Sequence, residues 1–439
     1  MDHLDHGRRT TPSHQPTAGV RMLREEIENI GRCGFPNSEL ISLRQIPSGK
    51  SFNNRIYFLN LRHPTDQTSS GTEERPEQKV VLKVNGRFFG SNKIQNEVAC
   101  LQLLQKHCPS VPTPRVLAWS EDGQAATFAT PYKIASHPLD IPSGLDKLDH
   151  GGWILMTELT GSPCVTTGLG DATIMDLGRQ LADIVSCWRH YIPAQKHCGN
   201  IRLPYHESDG GNIPQVDSSA LTIQGILQAG IDVTEPITNI NDYYRIRLAK
   251  KLWVLESSDT YARNRSLAEP IRAFMHDILP QLELASCTGM TDEEYIFTHK
   301  DLSPRNVLIS GQPPQITGIV DFEFGGFFPP IEEFLNDFIS NKGDWPQAFY
   351  NSYLDHLEKN GITTPKSLNP NVWNRNYRLE TLTARVAPWE LPGCYEGKGL
   401  GTKLDRAESD ARDMLQKLSH PEKLQEQHIQ YGEDVASSP

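Results

Sequence analysis

The chain of 439 residues contains no apolar stretch approaching the ~20 residues that a membrane-spanning helix needs. Its opening segment, MDHLDHGRRTTPSHQPTAG, lacks a hydrophobic h-region, and it lacks the Arg/Ser-rich, acid-poor character of a transit peptide. No secretory leader is therefore expected. The eight cysteines (Cys33, Cys100, Cys108, Cys164, Cys187, Cys198, Cys287 and Cys394) form no C-x-x-C pair and no zinc spacing. Single scattered thiols of this kind belong to reduced, half-buried positions rather than to a disulfide framework. Basic residues are also short: 43 Lys and Arg against 54 Asp and Glu give a formal net charge of −11. That balance disfavours nucleic acid or an anionic membrane as a partner, although it leaves room for a local basic pocket. Hydrophobic residues reach only 37%, enough for a core at this length if tails and insertions hold the polar excess. A soluble cytoplasmic protein is the expectation.

What is present is an ordered change of pattern along the chain. Residues 1–20 read as a disordered tail. From about 39, LISLRQIPSGKSFNNRIYFLNLR gives two β-rich runs around a Pro-Ser-Gly-Lys-Ser turn, and KVVLKV resumes the sheet after a polar loop. NKIQNEVACLQLLQKHC places Ile94, Val98, Leu101 and Leu104 at helical spacing. VPTPRVLAWS and GGWILMTEL supply further strands. Beyond about 160 helices dominate, as in DLGRQLADIVSCWRHY, with Leu177, Leu181, Ile184, Val185 and Trp188 on one stripe. The expected class is α+β, with a small β-rich lobe over 21–160 containing one key helix. A larger helical lobe over 161–400 and a polar tail over 401–439 complete it.

The strongest chemical signal is FTHKDLSPRNVLIS followed by ITGIVDFEF. It contains His299-x-Asp301-x4-Asn306, a β segment, a tight turn, and a second β segment that ends at Asp321. A hairpin would bring Asn306 and Asp321 together beside the preceding loop. Two Asp and one Asn converging there offer hard oxygen ligands, which suit Mg²⁺ and leave one carboxylate to accept a proton. In the first lobe, Lys83 sits mid-strand in VVLKVN, where its charge needs a partner. Glu97, between Ile94 and Leu101 on the apolar helix face, is placed to be that partner, the alternative being a solvated edge lysine and a surface glutamate. The turn Pro47–Asn54 has a single glycine and no G-x-x-x-x-G-K-[ST], so a Walker A loop is rejected.

In this order, the three elements resemble the aminoglycoside phosphotransferase (APH)/choline kinase family, which has a bilobal protein-kinase-like fold. The resemblance spans about residues 40–340. It implies an ATP- and Mg²⁺-dependent phosphotransferase that modifies a hydroxyl of a small molecule. By that resemblance Asp301 would be the catalytic base, and Asn306 and Asp321 the Mg²⁺ ligands. Lys83 would contact the α/β-phosphates and be held by Glu97. Ser48, Gly49, Ser51, Phe52 and Asn53 would belong to the phosphate-covering loop. Met156 would back the adenine pocket, whose hinge backbone lies at Thr157 and Leu159.

HKDLSPRN is also similar to the catalytic loop of protein kinases, but no activation segment ending in A-P-E follows Asp321. The 218 residues from Lys83 to Asp301 likewise exceed what a protein kinase needs. A kinase-fold binding protein without catalysis is the other alternative, though such proteins usually lack one of the residues present here. Two departures from the family pattern stand out: Lys300 follows the histidine, and Phe322 occupies a position where Trp is common. For the acceptor, Glu323, Glu332, Glu333 and Asp337 could hold a cationic amine, or could form a solvated helix start favoured by the dipole. Trp345, Trp373 and Trp389 could line a cation–π box or fill the core. His190, His197 and Cys198 have no completing ligand at metal spacing.

Overall fold

The computed structural model describes residues 15–20, 22–47, 51–62, 77–86, 90–123, 125–129, 134–138, 152–202, 222–223, 237, 239–285, 294–335 and 345–420. Among these residues two compact units form. The first comprises Met1–Lys106, Pro112–Leu159 and Ile201–Thr222; the second comprises His107–Val111, Thr160–Asn200 and Ile223–Pro439. No described helix is long and apolar enough to cross a membrane.

The first unit contains α1 (Arg24–Gly34), β1 (Glu39–Gln45), β2 (Asn54–Arg62), β3 (Glu77–Asn85), α2 (Ser91–His107), β4 (Val116–Ser120), β5 (Ala125–Ala129), β6 (Ile134–Pro138) and β7 (Trp153–Thr157). Seven strands form one antiparallel sheet in the order β1-β2-β3-β7-β4-β5-β6. The period-2 alternation of strands sorts its two faces. Tyr57, Leu59 and Leu61 of β2, Val80, Leu82 and Val84 of β3, and Trp153 and Leu155 of β7 join one buried cluster with Ile27 and Ile30 of α1. Lys83 falls on the opposite face, paired across the ladder with Ile56 and Ile154.

Helix α1 had no clear sequence signal, because only Ile27 and Ile30 mark its inner face over eleven mostly polar residues. It lies close on the sheet at Gly31, where a Cβ would meet Leu61 at 3.3 Å. The expected disordered tail of residues 1–20 is described only over 15–20. Thr17, Ala18 and Val20 are buried, and the Thr17 carbonyl accepts a hydrogen bond from Arg55 at 3.2 Å.

In the second unit, β8 (Ser162–Pro163) joins the hairpin of Val307–Ser310 and Gln315–Ile319 in a three-stranded sheet. Helix α3 (Asp171–Tyr191) buries Leu177, Leu181, Val185 and Trp188 of the stripe that its spacing implied, while Ile184 of that stripe is half-buried. It packs on the helix Gln347–Lys359, with Gly178 permitting close approach: a Cβ there would lie 2.7 Å from the Phe349 carbonyl oxygen. Helix α4 (Ile240–Ser257) buries Tyr243, Tyr244, Arg247 and Lys251. The expected tail from 401 is helical as far as Ser419, within Gly397–Ser419, and buries Leu404, Ala407, Ala411, Leu415 and Leu418. Its apolar residues recur every three to four positions among many charges, which is an amphipathic helix in a polar composition.

Candidate active site

In the first unit, alternation aims Lys83 toward α2, and Glu97 lies on the inner face of that helix. Lys83 Nζ donates to Glu97 Oε2 at 2.6 Å, with both side chains almost wholly buried. Removal of such a pair from water is offset in part because each charge answers the other. A second lysine, Lys93, escaped the sequence reading. It is buried in the first turn of α2 and donates to Asn54 at 2.5 Å and Asn85 at 2.7 Å. Lys93 thereby ties the helix to the start of β2 and the end of β3. Its signal was its place four residues before Glu97.

Ser51, Phe52 and Asn53 enter β2 half-buried, and the Asn53 carbonyl accepts the Gly86 N–H at 2.9 Å. Ser48 and Gly49 lie outside the described residues, as does Asp337. Met156 is buried between β3 and β4, opposite Val81 and Val116. The Thr157 N–H donates to the Arg115 carbonyl at 2.9 Å, and its hydroxyl accepts the Arg115 N–H at 2.9 Å. Leu159 is half-buried two residues further on.

In the second unit, the hairpin register pairs Val307 with Ile319, and the Val320 N–H donates to the Asn306 carbonyl at 2.9 Å. This sets Asp321 beside Asn306, as a hairpin requires. Asp321 adopts a left-handed backbone with φ of 72°. The Asn306 amide donates to the Asp301 carbonyl at 2.8 Å and to Asp301 Oδ2 at 3.0 Å. Its nitrogen is thus committed, which turns its own oxygen away from Asp301. The Asp301 N–H donates to His299 Nδ1 at 3.1 Å, and His299 Nε2 lies 3.0 Å from the Val320 carbonyl. One neutral tautomer satisfies both contacts, with the proton on Nε2. His299 packs 4.3 Å from Phe322, which meets Trp188 edge-on at 6.2 Å. The phenylalanine at 322 is therefore the floor beneath the histidine.

Arg305, four residues past Asp301, donates through one nitrogen to both carboxylate oxygens, at 2.8 and 3.1 Å. This arginine was also missed, although it stands inside the motif. Asp301 is 6% exposed. Burial pushes its carboxyl up to about 7, Arg305 opposes that rise, and the charges of Asp321 and Glu323 add to it. A divalent cation among these acids would relieve that repulsion, and Asn306 and Asp321 offer oxygen donors of the right hardness. The residues present fit Mg²⁺.

Neither sequence expectation for the downstream acids holds at 332 and 333. Glu332 and Glu333 are neither an open amine-binding surface nor a solvated helix start: they are 1% and 0% exposed. Glu332 accepts from the hydroxyls of Tyr243 and Tyr244, both at 2.9 Å. Glu333 accepts the His299 N–H at 2.9 Å. Glu323 is buried as well. Trp345 is core: it stacks on Phe349 at 3.9 Å and donates its indole N–H to the Leu302 carbonyl at 3.0 Å. Trp373 is buried, and Trp389 half-buried.

Lys83 on β3 with Glu97 on α2, and Asp301, Asn306 and Asp321 around a hairpin, are the groups on which the resemblance to phosphotransferases of the kinase-like class rests. The chain belongs to the phosphotransferase enzyme family APH, whose family model matches residues 43–370. Solved structures similar to it include a streptomycin–ATP–APH(2")-IIa ternary complex, with TM-score 0.52 and 13% identity. That likeness covers 90% of this chain and 99% of the other. A gentamicin–APH(2")-IIa complex has TM-score 0.50 and 14% identity, over the same 90% and 99%. At such identities the likeness establishes the fold, the bilobal kinase-like fold. No curated protein matches the sequence.

Proposed function

We propose that this phosphotransferase is an ATP- and Mg²⁺-dependent small-molecule kinase that transfers the γ-phosphate to a hydroxyl of a metabolite. Support comes above all from Asp301: a buried carboxylate, fixed by Asn306 and His299, with its pKa raised to about 7. A base poised near the working pH suits removal of a hydroxyl proton as the oxygen attacks phosphorus in line. Arg305 holds the carboxylate in orientation until the acceptor hydroxyl takes its place.

On the first unit, Lys83, kept in place by Glu97, would contact the α/β-phosphates. Ser48, Gly49, Ser51, Phe52 and Asn53 would cover them with backbone N–H groups. The adenine edge would meet the Thr157 carbonyl and the Leu159 amide, with Met156 behind it. On the second unit, Asn306 and Asp321 would hold the metal. When bound, Mg²⁺ supplies charge neutralisation on the transferring phosphates. The similar complexes of APH(2")-IIa contain streptomycin, ATP and gentamicin, which makes such compounds members of the acceptor panel. A cationic acceptor would have to be read by groups other than Glu332 and Glu333, which are engaged inside their unit.

The test is a mass-spectrometric search for phosphorylated products from Mg·ATP and a metabolite extract. Asp301→Ala should abolish turnover while nucleotide binding survives; wild-type rates in that variant would sink the assignment. Asp321→Ala should lose Mg²⁺-dependent nucleotide binding in a calorimetric titration, and unchanged binding would remove Asp321 from the metal site.

A further inference from the structure

The lysine after His299 is the departure from the family pattern that the proposed chemistry leaves unexplained. Lys300 has φ of 62°, in the left-handed region that side chains disfavour. Its side chain is not a solvated surface arm. Nζ lies 3.0 Å from Glu332 Oε2, donates to the Tyr243 hydroxyl at 2.8 Å, and sits 4.3 Å from the centre of the Phe328 ring. The Tyr243 hydroxyl in turn donates to Glu332. Arg247 approaches Glu332 at 3.9 Å and forks onto both oxygens of Glu380. Two cations and two carboxylates therefore balance within one buried network. Burial alone would raise Glu332, but the Lys300 ammonium and the Arg247 guanidinium outweigh it and hold its carboxyl below the ordinary value.

The neighbouring Glu333 grips the same turn by its backbone, accepting from the N–H groups of His299 and Lys300. Adjacent carboxylates thus hold the His299–Lys300 dipeptide, one through a side chain and one through amides. The next residue is Asp301.

We propose that Lys300 is a positioning residue for Asp301: its ammonium, anchored on Glu332 and Tyr243, fixes the left-handed turn that presents the catalytic carboxylate. Lys300 acts through the backbone, so its loss should slow the chemical step and spare nucleotide binding. The inference rests on Asp301 being the base, and its test separates the two ideas.

In the full-length protein, Lys300→Met should lower kcat about 10- to 100-fold with KM for Mg·ATP within about twofold of wild type. Lys300→Arg, which keeps the charge, should recover most of that loss. Lys300→Gly relieves the backbone but removes the anchor, and should stay as slow as Lys300→Met. The double variant Lys300→Met/Glu332→Gln balances the buried charge again; it should regain thermal stability without regaining kcat. A merely structural role would restore both together, and that result overturns the proposal. So does wild-type kcat in Lys300→Met or Lys300→Gly. Amide hydrogen exchange gives a second readout at Asp301, Ser303 and Asn306, whose N–H groups bond within the loop. These amides should exchange at least tenfold faster in Lys300→Met, and unchanged protection in the folded variant refutes the anchoring. If wild type transfers no phosphate at all, the kinase reading fails, and the exchange rates alone decide whether Lys300 fixes the turn.

Discussion

Replacing Asp301 with asparagine should make the protein more stable while making it inactive, and the gain should depend on pH. The carboxyl ordinarily titrates near 3.8 and is pushed by burial to about 7 in the folded chain. Between those values the folded state holds a proton that the unfolded state has released, so wild-type stability falls as pH rises from about 4 to 7. About three pH units at ~1.36 kcal/mol each set an upper figure on the order of 4 kcal/mol above pH 7. Asparagine carries no charge to bury, and its one oxygen, placed at the Oδ2 position, still accepts from Asn306 and Arg305, as the protonated acid does with one of its oxygens. Losing the carboxylate partner of the half-exposed Arg305 subtracts about 1 kcal/mol at most. A net gain of about 2–3 kcal/mol at pH 8 follows, with near parity at pH 4. Urea unfolding followed by tryptophan fluorescence, in EDTA at a series of pH values, reads the difference directly. Other acid-sensitive groups affect both proteins alike and cancel. A gap that stays flat with pH, or a less stable variant at pH 8, would refute the reasoning. Adding Mg²⁺ at pH 8 should narrow the gap, since a cation beside Asp321 offsets the buried charge of wild type alone.

Lys83→Met should strand the Glu97 carboxylate in a dry site and cost about 3–5 kcal/mol. Lys83→Met/Glu97→Gln should cost clearly less, measured as a double-mutant cycle in denaturant; additive losses would mean that the two groups do not act as a pair. Both variants should bind ATP more weakly than wild type in titration calorimetry. On α4, burial pulls Lys251 from its usual 10.5 down to about 8, against the pull of Glu390. Between those values the unfolded state holds the extra proton, so this lysine makes stability rise with pH from 8 to 10.5. Lys251→Met should therefore stabilise by on the order of 1–3 kcal/mol at pH 7 and lose that advantage near pH 10.5, as thermal melts across pH would register.

The order of elements was legible in the sequence because it rests on local periodicity. Alternation in VVLKVN fixed the faces of β3, and the three-to-four spacing in α2 and α3 fixed their buried stripes. The spacing from Asp301 to Asn306, followed by a strand ending at Asp321, is likewise local, because a hairpin converts it into proximity. Helix α1 and the helix Gly397–Ser419 were overlooked for the converse reason. Their apolar residues are few, and their stability comes from the surfaces they cover.

What tertiary structure alone decided is the fate of charge. Glu332 and Glu333 could be read as a solvated helix start or as an amine-binding surface, since sequence gives charge and not surroundings. Their burial follows from Tyr243, Tyr244 and Arg247, which arrive from a helix some 90 residues earlier, and from the His299–Lys300 turn. Arg305 and Lys93 drew no reading from the sequence, yet one holds Asp301 and the other pins α2 to two strands. Sequence determined which groups this protein can use for chemistry. The fold determined which of those charges remain for a substrate and which are spent in holding the loop of Asp301, because desolvation makes every buried charge find its partner inside the chain.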